Sequence, residues 1–323
     1  MKANGKARVF GPVPSRRLGF SLGVDVIPYK TCALDCVYCQ LGSSGRPTLA
    51  RRGYASPRAV LSQVRRALAR KGRIDYITFS GSGEPTLNSD LGKMIRGVKR
   101  ITEVPVAVLT GSSLLDRPDV RRELSSADLV VPSLDAGTER VFRRVNRPHP
   151  SLTLDKVTEG IAAFSRGRRG KLWLEAMLVR GMNDSSAELK ALARRIRRIA
   201  PDRVQLTTVA RPPAEKEARP LTEREMRRAV SFLRRLLPGL TVEAAGEFGG
   251  RRKEGGGREA SEAVLGYLRR RPATSGDLTR ALGLSPAVVR RALLALVRFR
   301  EVERGSYGGK IYYRIAARTP LPQ

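Results

Sequence analysis

Along most of the chain, short apolar runs alternate with longer stretches in which apolar residues recur every three or four positions. Runs of the first kind lie at 23–27, 74–79, 104–109, 129–133, 172–179 and 204–209, as strands of a covered sheet require. Helical spacing occupies 57–70, 89–100, 118–124, 154–164, 185–199 and 223–237. Strand–helix alternation at this interval predicts right-handed βαβ units and a parallel sheet. Six units fall short of the eight of a closed barrel, so the pattern predicts an α/β fold, either a partial (β/α)6 TIM-like barrel or an open wound sheet.

The rhythm stops at 246–258, a glycine-rich, charged stretch suited to a linker. Beyond it, 259–271 has Ala263, Val264, Tyr267 and Leu268 on one helical face, and 275–282 makes a second short helix. Ser285 can cap a third helix with Pro286 at its first position, and Val288, Val289, Ala292, Leu293 and Leu296 give that helix its apolar side. Residues 301–304 and 310–315, around a turn rich in glycine, predict a β-hairpin. Three helices and a hairpin predict a small C-terminal winged helix-turn-helix domain. The expected organisation is a barrel over 1–245, a linker over 246–258, the winged helix over 259–316 and a tail over 317–323, with no internal repeat.

Charge adds a partner to this picture. The 323 residues hold 62 Lys and Arg against 30 Asp and Glu, a formal net charge of +32. Arg-rich helix faces such as 194–198 account for part of the excess, but so large an imbalance points to a polyanion, nucleic acid above all. With 41% hydrophobic residues the chain can build a core. No apolar stretch reaches the roughly 18 residues of a membrane span, and residues 1–10 lack the apolar centre of a secretory signal. The expectation is a cytoplasmic protein with no membrane partner.

The three cysteines lie within eight positions and fit no disulfide framework. Cys32-Ala33-Leu34-Asp35-Cys36-Val37-Tyr38-Cys39 has the spacing C-x3-C-x2-C. Three thiolates on one short loop can hold three irons of a cubane and leave the fourth iron open to a chelating small molecule. The alternative, a structural zinc site, prefers four protein ligands, and His149 is the single histidine that could supply a fourth. A catalytic thiol would leave two cysteines without a role.

Other positions carry candidate chemistry. In Ser80-Gly81-Ser82-Gly83-Glu84-Pro85 the glycines permit close backbone approach, and Glu84 can accept hydrogen bonds from an ammonium. Ser133 and Asp135 share a side if the chain is extended, offering a hydroxyl and a carboxylate to ribose, unless Asp135 caps the next turn. Asp25 and Glu175 are carboxylates in apolar strands. An unpaired charge is costly there, so each either binds cofactor or substrate or pairs with an interior arginine. Arg211 and His149 are candidates for the rim of the site, with a plain surface role as the alternative. Arg290, Arg291 and Arg298 would contact phosphates if the third helix enters a DNA groove; otherwise the unit docks a protein.

Together these motifs resemble the radical S-adenosylmethionine (SAM) superfamily over most of residues 10–212. Gly11-Pro12-Val13-Pro14-Ser15-Arg16-Arg17-Leu18-Gly19 is similar to a subgroup labelled Fe–S oxidoreductase, or wyosine-synthetase-like. The resemblance implies a partial barrel with a [4Fe–4S] cluster on Cys32, Cys36 and Cys39 at its C-terminal mouth. It further implies S-adenosylmethionine as cofactor, a low-potential electron donor, and reductive cleavage to methionine and a 5′-deoxyadenosyl radical that takes hydrogen from a substrate. The Gly81–Glu84 loop is similar to the family's Gly-Gly-Glu stretch, with Ser82 for the second glycine, which implies Glu84 on the methionyl ammonium. By the same resemblance Tyr38 lies near the adenine, Thr110 near the methionyl carboxylate, and Ser133 and Asp135 at the ribose. With the charge, this leads us to expect modification of RNA, a tRNA base in particular. The alternatives are radical modification of a partner protein and a redox-responsive Fe–S regulator that binds nucleic acid. Wyosine chemistry itself is not expected, since the archaeal enzymes resemble a two-cluster design and this chain has no fourth cysteine.

Overall fold

A computed structural model describes residues 8–15, 17–43, 46–70, 72–245, 257–269 and 271–316. Eight strands lie side by side in chain order: β1 (Val9–Ser15), β2 (Gly19–Val24), β3 (Tyr76–Phe79), β4 (Val106–Thr110), β5 (Leu129–Pro132), β6 (Lys171–Leu178), β7 (Arg203–Thr208) and β8 (Thr241–Ala244). β1 is antiparallel to β2, and every later neighbour pairs in parallel. Helices α1 (Pro57–Leu68), α2 (Leu91–Lys99), α3 (Pro118–Leu124), α4 (Glu139–Asn146), α5 (Leu154–Gly167), α6 (Ser186–Ile199) and α7 (Glu223–Leu236) occupy the crossovers. The α/β parallel-sheet architecture is therefore the expected one.

Local chemistry sets the helix starts. Ser56, Thr138, Thr153, Ser185 and Thr222 each accept from a backbone N–H in the first turn, and Thr222 forms a reciprocal capping box with Glu225.

Three elements differ from the expectation. The six predicted strands correspond to β2–β7, while β1 and β8 flank them. β1 contains Pro12 and Pro14, which a sheet tolerates at its edge, and β8 is only four residues long. α4 was hidden by its arginines, although Val141, Phe142 and Val145 are buried. The first strand also ends at Val24, so Asp25 follows it rather than lying within it.

Side chains alternate across the strands. Leu22, Ile77, Val108, Leu174 and Leu206 point outward into the core shared with the helices. The other positions face a lumen, whose N-terminal end is closed by Leu18, Ala107, Leu129 and Val131, with half-buried Tyr76, Leu109 and Trp173 against them. The Arg203 guanidinium lies 4.6 Å from the centre of the Trp173 ring.

A second apolar cluster belongs to α8 (Gly257–Leu268), α9 (Ser275–Leu282), α10 (Pro286–Arg298) and the hairpin of β9 (Val302–Tyr307) and β10 (Lys310–Ile315). It includes Val13 of β1, and Phe10 packs against it. Tyr312 donates its hydroxyl proton to the Ala210 carbonyl at 2.7 Å, and Tyr307 donates to Ala218 at 3.2 Å. The unit therefore sits on the antiparallel edge and on the loop that follows β7. The linker expected at 246–258 lies outside the described residues except for its last two positions, which already belong to α8, and the tail at 317–323 lies outside them too. Among the described residues, no helix is long and apolar enough to cross a membrane.

Candidate active site

The cysteine loop leaves the C-terminal end of β2 and is held by backbone on several sides. Asp35 and Val37 donate N–H to the carbonyls of Asn146 and Val145 at the end of α4, both at 3.0 Å. His149 donates its N–H to Ala33, Thr48 to Cys32, and Glu215 to Val37. Cys32, Cys36 and Cys39 are free and half-buried. Burial, then the charge of Glu84, pushes the Cys32 thiol up to about 12, and burial with Asp135 and the other two cysteines raises Cys36 further. Among the described residues no three His, Cys, Asp or Glu side chains are grouped to hold one metal ion. Three protein thiolates match three irons of a cubane, each taking one, whereas a structural zinc site calls for four protein ligands.

Two residues at this loop escaped the sequence reading. Asn146 donates its amide to Cys36 Sγ at 3.5 Å and to Asp135 Oδ2 at 2.6 Å, while its own Oδ1 is buried without a partner. The available signal was an asparagine on the apolar face of a helix that was itself unrecognised. Lys30 lies 3.2 Å from Asp35. Burial opposes its charge, but the thiolate form of Cys39 and the Asp35 carboxylate outweigh burial and raise its pKa.

The second loop packs directly onto the first. Gly81 has φ +152, and a Cβ there would sit 2.5 Å from Asp25 Cγ; one on Gly83 would meet the Thr31 carbonyl oxygen at 2.1 Å. Asp25 accepts from the Ser82 hydroxyl at 2.6 Å, so it pins this loop rather than pairing with an arginine. Glu84 is 2% exposed. Its Oε1 accepts from the Thr86 N–H, the Thr86 hydroxyl and the Thr110 hydroxyl, and its Oε2 from the Gly111 N–H at 2.6 Å. All four donors are neutral, and Oε2 retains acceptor capacity. A buried carboxylate without a cation is expensive, and a ligand ammonium would relieve it.

Several expected roles change. Thr110 gives its single hydroxyl proton to Glu84 at 2.7 Å, which ties β4 to the Gly81–Glu84 loop. Asp135 is 3% exposed and accepts from the Tyr38 hydroxyl, from Asn146 and from the Met177 N–H at 2.8 Å. Burial pushes its pKa up to about 6 against these hydrogen bonds, with the Glu175 charge adding to the rise. It is a brace for the cysteine loop, and it neither caps the next turn nor stands free beside Ser133. Ser133 lies just past β5, half-buried, in a bridge to Glu175. Tyr38 is turned inward onto Asp135. Glu175 forms an ion pair with Arg17, the interior arginine that the sequence left unnamed. The His149 ring is engaged with Ser151 of its own turn at 2.8 Å. Arg211 lies within electrostatic reach of Arg271 and Asp277 of the C-terminal unit. Arg290, Arg291 and Arg298 are exposed on α10.

Taken with this geometry, the comparisons define the class. The model of the radical SAM superfamily matches residues 26–196, more than half of the chain. The chain belongs to the radical SAM superfamily and is an enzyme of that class, which uses a [4Fe–4S] cluster and S-adenosylmethionine. A UPF0026 protein of Methanocaldococcus jannaschii is 36% identical over 243 residues, covering 75% of each chain. GTPase Obg of Brachyspira hyodysenteriae is 44% identical over 225 residues, 70% of this chain; the match spans only 33% of that protein. More remotely, the dual-specificity RNA methyltransferase RlmN of Desulfotalea psychrophila is 24% identical over 221 residues, 62% of this chain and 57% of that one. Among solved structures, Streptococcus suis SuiB bound to S-adenosylmethionine superposes with a TM-score of 0.53 at 14% identity, over 69% of this chain and 50% of that one, a likeness of fold.

Proposed function

We propose that Cys32, Cys36 and Cys39 hold the [4Fe–4S] cluster, that Glu84 receives the methionyl ammonium of S-adenosylmethionine, and that the substrate is RNA. When bound, the cluster supplies the electron for reductive cleavage of the sulfonium. Glu84 is the observation that carries the cofactor reading, a buried carboxylate met only by neutral donors beside the cysteine loop. The residues of the chain orient and enclose. Asp135 fixes Tyr38 and Asn146 against the loop, Gly81 and Gly83 allow the two loops to touch, and the hydroxyl of half-buried Ser133 is available to the ribose. The 210–218 loop shields the far side of the cysteine loop through Glu215.

RNA is favoured by the net charge of +32, by the likeness to RNA methyltransferase RlmN, and by the C-terminal unit. We read that unit, over 259–316, as a winged helix attached to a barrel over 1–245. Arg290, Arg291 and Arg298 on α10 have no carboxylate partner among the described residues and would meet phosphates. Leu294 and Phe299 are 65% and 71% exposed. They favour a second reading, in which the same surface docks a protein that is modified.

The test is anaerobic reconstitution with iron and sulfide, reduction, and measurement of 5′-deoxyadenosine with and without total tRNA, using Cys36→Ala as control. Product that requires Cys36 and rises with tRNA is expected. Cys36-dependent product indifferent to tRNA turns the search to a protein, and no product from a protein with a verified cluster sinks the proposal.

A further inference from the structure

The roles proposed above leave one layer of the lumen unused, immediately below the loops. Arg17 rises from the β1–β2 turn to its ion pair with Glu175, and Thr207 donates to the same carboxylate oxygen at 3.1 Å. Gln205 is the register partner of Glu175 on β7 and spends its amide N–H on Glu243 at 2.9 Å, a carboxylate also paired with Arg203. Two polar atoms of this layer are buried with no partner, the Arg17 Nε–H donor and the Gln205 Oε1 acceptor. Gln205 is only 3% exposed. An unmade hydrogen bond on a buried atom costs roughly 1–3 kcal/mol, and packing explains neither of two such atoms with opposite polarity in one layer.

The height of this layer is informative. Glu175 bridges to Ser133, and Met177, two positions further along the same face, donates its N–H to Asp135. Below, the cluster around Leu129 and Trp173 closes the lumen. Polar groups therefore lie between an apolar floor and the cofactor loops.

We propose that Arg17, Glu175 and Gln205 form the substrate-recognition floor, and that they read the edge of a nucleobase, a planar group presenting an acceptor beside a donor. Arg17 Nε–H donates to the acceptor of the base and Gln205 Oε1 accepts from its N–H. Glu175 holds the guanidinium in place, and half-buried Trp173 and Met177 on the same face offer apolar surface to the ring. An enzyme that works on a base takes it out of the stack and reads its pairing edge in this way. This inference rests on the RNA reading and deepens it.

The experiment uses the reconstituted full chain with total tRNA as probe. It measures the ratio of 5′-deoxyadenosine formed with tRNA to that formed without it, and the thermal midpoint of each protein. Gln205→Met removes the orphan acceptor and leaves Glu243 paired with Arg203; Arg17→Lys keeps a cation for Glu175 and removes the Nε donor. The expected result is a stimulation ratio about tenfold lower in each variant, with the midpoint of Gln205→Met unchanged or higher. Undiminished stimulation in both variants overturns the inference while leaving the RNA reading intact. A midpoint lowered by several degrees in both also overturns it, since the residues then serve the fold. If the unchanged protein shows no response to tRNA, the RNA reading fails and the inference fails with it.

Discussion

The two faces of the barrel strands carry opposite chemistry although they alternate residue by residue. On β6, Leu172, Leu174, Ala176 and Leu178 are fully buried against the helices, while Trp173, Glu175 and Met177 face the lumen. β7 repeats the division, with Val204 and Leu206 outward and Arg203, Gln205 and Thr207 inward. The outer face is stabilised by removing apolar area from water, roughly 25 cal/mol per Å². The inner face keeps ion pairs, hydrogen bonds and two polar atoms without partners. Aliphatic side chains at those positions would be easier to bury. The difference teaches that the leucines of a strand report its packing, and the residues that break the pattern report its use.

The sharpest way to break this comparison is to move a carboxylate by one position. Leu174→Asp places a charge where only helix side chains meet it and should destabilise the protein by about 5 kcal/mol or more. The readout is urea unfolding, and a variant as stable as the parent would show that the outer face is not the packing face. Glu175→Gln tests the inner face with a smaller change. Arg17 loses its counter-ion but keeps an amide oxygen to donate to, so we expect a cost of about 2 kcal/mol. A cost near that of Leu174→Asp would erase the distinction between the faces. The smallest effect belongs to a residue on neither face. Arg290→Gln on exposed α10 should change stability by less than about 0.5 kcal/mol. The same substitution should lower the magnitude of the salt slope of RNA binding by about 0.7–0.9. An unchanged slope would remove Arg290 from the phosphate contacts.

Much of the sheet could be read from the chain because β2–β7 bury one continuous apolar face, and that periodicity survives in one dimension. The edges could not. β1 has prolines where a central strand would fail, and β8 is too short to show a period. The cysteine loop was visible through its spacing, and the Gly81–Glu84 loop through its order after it. Their supports were not, because those contacts link distant segments: Asn146 reaches Cys36 across 110 positions, and Arg17 reaches Glu175 across 158. Thr110 and Asp135 were assigned to ligand by resemblance, yet the fold commits one to Glu84 and the other to Tyr38 and Asn146. Such commitments depend on which single proton or lone pair a neighbour takes, and a lone residue type does not encode that.

Spacing and periodicity are local properties, and they were sufficient for the alternation of strands and helices, the gathering of three thiols on one loop, and the excess of positive charge. Which carboxylates are paired, which are braces and which lack a cation is a property of packing. Asp25, Glu84, Asp135 and Glu175 are all acidic residues in or beside apolar strands, and nothing along the chain separates them. Folding gives them respectively a serine hydroxyl, four neutral donors, a tyrosine with an asparagine, and an arginine. The physical reason is desolvation. Once a charge leaves water its state is set by the few groups within hydrogen-bond reach, and those groups are brought together only by the tertiary structure.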